Sequence, residues 1–121
     1  MDIKVAIDGF GALAQQTRLD AFRLLVRSGI DGMAAGEIAQ ALNVPQNTLS
    51  SHLTIMVNAG LLVSRREGRS IIYCVDLEGT QALLTFLLED CCQGHPQACI
   101  SLLEAILPRC RRSIDSPSAR P

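Results

Sequence analysis

The chain has 121 residues, of which 48% are hydrophobic and 3% aromatic, with no tryptophan and a formal net charge of −1. So apolar a composition excludes disorder over most of the length, and the near-neutral balance excludes a uniformly basic nucleic-acid coat. A small core built from Leu, Ile, Val and Ala commonly completes itself by dimerising, so a homodimer is expected.

The first elements are helical. Ile3 to Ala14 has apolar and small residues at helical spacing, weakened by Gly9 and Gly11. Thr17 to Ser28 is a stronger helix, with Leu19, Phe22, Leu25 and Val26 on one face and Arg18, Asp20, Arg23 and Arg27 mostly elsewhere. Gly29 to Gly32 reads as a loop. Ala34 to Leu42 is a short helix with Ile38, Ala39 and Leu42 inward. Asn43 suits a left-handed helix end, and Pro45 suits the first turn of a new helix running to about Asn58. Two short helices joined so closely outline a helix-turn-helix, spanning about 34–59.

Leu61 to Arg66 and Ser70 to Val75 are β-rich runs around Glu67, Gly68 and Arg69, a hairpin at about 61–75. Thr80 to Cys92 is a helix so apolar that burial on more than one side, against a partner subunit, is expected. Gly94 and Pro96 interrupt the chain, and Ile100 to Leu107 forms a last helix. The expected organisation is one domain at 1–108, mainly α with a β-hairpin, followed by a flexible tail at 109–121. No apolar run is long enough to cross a bilayer and the N-terminus lacks a secretory pattern, so a cytoplasmic location without membrane attachment is expected. In that reducing compartment the five cysteines favour ligand or redox roles over structural disulfides.

Three stretches together resemble the arsenical-resistance repressor (ArsR/SmtB) family: Leu13 to Leu25, Glu37 to Leu62 and Ser64 to Val75. The resemblance covers most of residues 10 to 92 and keeps the order of helix, helix ending in NAGLL, and REGR hairpin. It implies a winged helix-turn-helix homodimer that represses a resistance operon and leaves the DNA when a toxic metal or metalloid binds.

The candidate DNA-reading helix begins at Pro45. Leu49, Leu53 and Met56 point to the core, while Asn47, Ser51, Thr54 and Asn58 face away, flanked by Gln46, Thr48 and Ser50. From Gln46 to Asn58 there is no Lys, Arg, Asp or Glu, whereas a merely solvated face usually carries them. Short uncharged polar groups suit base edges, with phosphate affinity delegated elsewhere. Arg65, Arg66 and Arg69 in the hairpin supply it, and double-stranded operator DNA is the expected partner. Val44 occupies the expected N-cap without a capping side chain, leaving amides either for a phosphate or as a weak cap. His52, at the edge of the inward face, is a candidate either for packing or for DNA contact.

Cys91, Cys92 and Cys99 form the second candidate site. On one uninterrupted helix, Cys92 and Cys99 would be about 10 Å apart along the axis. A turn at Gly94 to Pro96 lets Cys99 fold back, at a helix start that favours a thiolate. Three convergent thiolates match trivalent arsenic or antimony better than zinc, which generally takes four ligands. The resemblance implies the same: a Cys-Cys pair, a Gly-x-Pro turn and a further Cys look like the arsenite-sensing subgroup. The family's Cys-Val-Cys site is absent, that stretch reading MAAGEIA, and its His/Asp zinc site on the dimer helix is missing too, since the chain has only His52 and His95; both departures argue against zinc, cadmium or lead sensing there. No permanent cofactor is expected. Cys74 reads as a small buried hydrophobe on a strand, and Cys110 as a further candidate ligand or exchanging thiol. A redox or persulfide switch joining Cys91 or Cys92 to Cys99 remains an alternative. A thiol enzyme would need a phosphate-binding Gly-rich loop or a Cys-x-x-Cys motif; neither is present, so no enzymatic activity is expected.

Overall fold

The computed structural model describes residues 1–90 together with 97, 100–102, 104 and 105. Two compact units divide the chain, Met1–Leu84 and Thr85–Pro121. The first carries α1 (Ile3–Leu13), α2 (Gln16–Ser28), a 3-10 turn (Gly29–Asp31), β1 (Met33–Ala34), α3 (Ala35–Leu42), α4 (Gln46–Asn58), β2 (Leu62–Glu67), β3 (Ser70–Val75) and most of α5 (Leu77–Thr85). In the second, Phe86–Asp90 forms a π-helical turn, and residues 97, 100–102, 104 and 105 are helical. The expected turn at Gly94 to Pro96 and the expected tail at 109–121 lie outside the described residues.

The mainly helical winged architecture read from the sequence is present. Seven large side chains are fully buried: Leu25, Ile38, Leu49, Leu53, Met56, Leu61 and Leu62. Three of them belong to α4, so the second helix of the helix-turn-helix is also a main support of the core. On α2 the buried face is narrower than expected. Leu25 is enclosed, but Leu19 and Val26 are 42% and 54% exposed. Val26 sits one residue, and so about 100° of helix, beyond Leu25. Helix α1 inverts the usual pattern, burying Ala6, Gly9 and Ala12 while Ile3, Val5 and Ile7 stay exposed. The small face allows close approach: a Cβ on Gly9 would lie 3.2 Å from the Leu83 methyls.

Three antiparallel strands form the sheet in the order β1-β3-β2. Strand β1, with two residues, is too short to show periodicity and falls where the sequence reads as loop and helix start. Its pairing of Met33 with Tyr73 depends on Gly32. At φ +67° a Cβ there would stand 2.5 Å from the Tyr73 carbonyl oxygen. Helix α5 starts at Leu77, earlier than the expected Thr80. The Asp76 carboxylate accepts from the Gly79 amide at 3.0 Å and caps the first turn. Gly79, which argues locally against a helix, is required because a Cβ there would collide with the Gly60 carbonyl.

The turn between α3 and α4 runs as anticipated at Asn43, which is left-handed (φ 56°, ψ 48°) and sends its amide to Gln40, while the Val44 amide reaches the Ala39 carbonyl at 3.0 Å. It differs one residue later. Pro45, not Val44, is the N-cap, and α4 begins at Gln46, because the extended ψ of 141° at Pro45 precedes the first helical residue. Asn43→Ala is expected to cost about 1 kcal/mol and Asn43→Gly close to nothing, read as shifts of the urea midpoint.

Candidate nucleic-acid interface

Burial of Leu49, Leu53 and Met56, each 0% exposed, sets the rotation of α4. Gln46, Asn47, Thr48, Ser51, Thr54 and Asn58 are consequently exposed, and Ser50 is half-buried at the edge of that face. Several of these groups are already oriented by the helix. The Ser50 hydroxyl donates to the Gln46 carbonyl at 2.9 Å, and the Thr54 hydroxyl donates to the Ser50 carbonyl at 3.0 Å. Each keeps its lone pairs, so in this arrangement both present acceptors outward. The Asn47 side-chain oxygen accepts from the Thr48 amide at 3.0 Å, which takes up one donor that Pro45 cannot cap. Its amide NH2 remains for a partner.

The hairpin closes through Gly68 and Arg69, with Gly68 at φ +62° and Glu67 opposite Ser70. Alternation along β2 then separates two arginines that are neighbours in sequence. Arg66 pairs with Ile71 on one face, whereas Arg65 pairs with Ile72 on the other. Arg66 and Arg69 are exposed and make no hydrogen bond or ion pair among the described residues. Arg69, Ser70, Ile71 and Tyr73 line one groove of about 420 Å³ with Gln46 and Ser50. The wing and the start of α4 therefore present their polar groups to a common space.

Arg65 is engaged within the protein. Its guanidinium donates to Glu67 at 2.6 Å and to the carbonyls of Ile30 and Asp31 at 3.0 and 2.8 Å. The hydrogen bond it donates to the Glu67 carboxylate raises its pKa above an already high value. His52 is likewise occupied: its Nδ1 lies 3.2 Å from Nη1 of Arg18. A guanidinium only donates, so Nδ1 accepts and the ring proton sits on Nε2. Arg18 also donates to the Ala12 carbonyl at 2.6 Å, linking the end of α1 to α4. Helical spacing sets Arg18 off the apolar face of α2, and no local signal reveals partners 6 and 34 positions away.

Cys74 is half-buried on β3, with its sulfur 4.0 Å from Arg65 Nη1. Among the described residues, no group of three or more His, Cys, Asp or Glu is assembled as a metal site. Cys91, Cys92, Cys99 and Cys110 lie outside the described residues. No helix among the described residues is long and apolar enough to cross a membrane.

A family model described as a helix-turn-helix domain matches residues 13–65. An uncharacterized HTH-type transcriptional regulator of Methanocaldococcus jannaschii is 38% identical over 72 residues, which is 59% of this chain and 79% of the relative. The homodimeric winged helix-turn-helix DNA-binding domain of a possible ArsR-family transcriptional regulator from Mycobacterium bovis is 27% identical. It superposes with a TM-score of 0.60, covering 73% of this chain and 81% of that one. A possible transcriptional regulator for arsenical resistance is 26% identical, with a TM-score of 0.60 over 78% of this chain and 94% of its own.

Proposed function

The chain belongs to the helix-turn-helix transcriptional regulators of winged-helix form, and from that premise we propose that it is a homodimeric, ArsR-type, metalloid-responsive repressor. The DNA half of this reading rests on the uncharged polar face of α4 sharing a groove with the wing cation Arg69. Gln46, Asn47, Thr48, Ser50 and Ser51 read base edges, and Arg66 and Arg69 hold the phosphate backbone. Two such helices in a dimer enter successive major grooves about one helical turn apart.

Dimerisation draws support from the apolar groups left on the surface. Ile3 and Ile7 on α1 are 66% and 61% exposed, and Leu77 and Leu84 on α5 are 70% and 55% exposed. Apolar side chains of this size left exposed on two helices of a small domain favour burial against a second copy. The similar Mycobacterium bovis domain is itself homodimeric.

Trivalent arsenic is the proposed inducer, held by Cys91, Cys92 and Cys99, with antimonite as a chemically similar second ligand. The donor set fits: three thiols within nine positions can replace the three hydroxides of arsenous acid, releasing three waters. A structural neighbour is described as a possible regulator for arsenical resistance, which favours the same ligand class. Release needs a coupling of only about 1–3 kcal/mol between the two sites.

An operator-binding titration with arsenite tests the division of labour. Cys91→Ser, Cys92→Ser and Cys99→Ser are expected to bind DNA as the wild type does and to stay bound at arsenite concentrations that release it. Mass spectrometry of treated protein should show a three-thiol arsenic adduct. A disulfide or sulfur-bridged species, with release by oxidant or persulfide instead, would transfer the sensing role to thiol redox chemistry.

A further inference from the structure

Arg65 differs from the other wing arginines in what it holds. Ile30 and Asp31, whose carbonyls it binds at 3.0 and 2.8 Å, lie 35 and 34 positions away in the 3-10 turn after α2. One guanidinium thus joins β2 to the helical body, with its Nε fixed by Glu67 at 2.6 Å. Carbonyl oxygens at the end of a helical segment carry partial negative charge, and the planar fork of Arg meets three separated acceptors with three different nitrogens, where Lys offers donors on one nitrogen only. The ion pair alone would anchor little, because its side chains are 44% and 55% exposed. The anchoring comes from the two long-range carbonyl bonds. They add to the pairing of Met33 and Ala34 with Tyr73 and Ile72 and to the packing of α2 and the 3-10 turn against β3.

Resting on the DNA-binding reading above, we propose that Arg65 is a positioning residue. It is a strut that sets the wing against the end of α2 so that Arg66 and Arg69 meet the DNA backbone, and it touches no phosphate itself. Strand alternation supports this, since Arg65 and Arg66 occupy opposite faces of the hairpin.

The test uses a duplex that the wild-type protein selects from a random-sequence DNA pool, together with amide hydrogen exchange of the free protein. Arg65→Ala and Arg65→Lys are both expected to weaken the duplex about tenfold, and to change it less than about twofold once Arg66→Ala and Arg69→Ala are already present. Exchange of wing amides at 64–71 is expected to rise about tenfold in both variants. The strut is overturned if the Lys variant binds as the wild type does, if the loss is the same size without the other wing charges, or if exchange is unaltered. Should Arg65→Ala fail to fold, Arg65→Lys, which keeps the charge, carries the comparison alone. A pool that yields no duplex would defeat the DNA reading, and hydrogen exchange would still decide whether Arg65 holds the wing.

Discussion

Leu53→Ala is expected to lower the unfolding free energy by about 2–5 kcal/mol, the largest stability effect of any single change considered for α4. Leu53 is 0% exposed, and it shares the buried face of α4 with Leu49 and Met56, also at 0%. Truncation would remove transfer energy and leave a cavity that this helix, packed against α3, α2 and β2, closes only in part. Ser51 and Thr54, its neighbours in sequence, lie on the exposed side, so the core that Leu53 fills also aims the polar face. Loss of order there should therefore reduce operator binding as well as stability. Urea unfolding at one fixed protein concentration checks this, because apparent stability of a dimer varies with concentration. Thr54→Ala serves as the surface comparison and should stay within about 0.5 kcal/mol. An unchanged urea midpoint for Leu53→Ala would remove α4 from the core.

Replacing both free wing cations, in Arg66→Ala/Arg69→Ala, is expected to flatten the salt dependence of DNA binding more than any other surface change. Each lost phosphate contact lowers the slope of log K against log salt by about 0.9, so about 1.8 is expected per subunit. The loss should be nearly the same for every sequence, since phosphates carry no base identity. Asn47→Ala should behave oppositely, relaxing the preference among sequences while leaving the slope in place. Fluorescence anisotropy of a labelled duplex across a salt series separates the two. A slope that the double arginine variant leaves intact would mean that the wing does not touch the backbone.

The buried face of α4 is legible in the sequence because Leu49, Leu53 and Met56 recur at helical spacing, and what remains must be outside. The same holds for the left-handed turn at Asn43 and the hairpin around Gly68, where the residue types themselves carry the backbone preference. The start of α5 is less legible. Gly79 weakens the local helix signal, and the reason for a glycine there is the carbonyl of Gly60, which only packing brings into place. Val26 illustrates the same limit from the other side, being apolar at helical spacing yet exposed.

Periodicity and turn chemistry by themselves outline a helix-turn-helix followed by a β-hairpin, with an uncharged polar face on the second helix, since both act between residues a few positions apart. The tertiary structure alone decides which polar groups are free to act. Arg65 is committed to carbonyls 34 and 35 positions away, and His52 to a guanidinium 34 positions away. No short-range pattern encodes a hydrogen bond across such a separation. It exists only because the packed core holds the end of α2 beside the wing, and Arg18 beside α4.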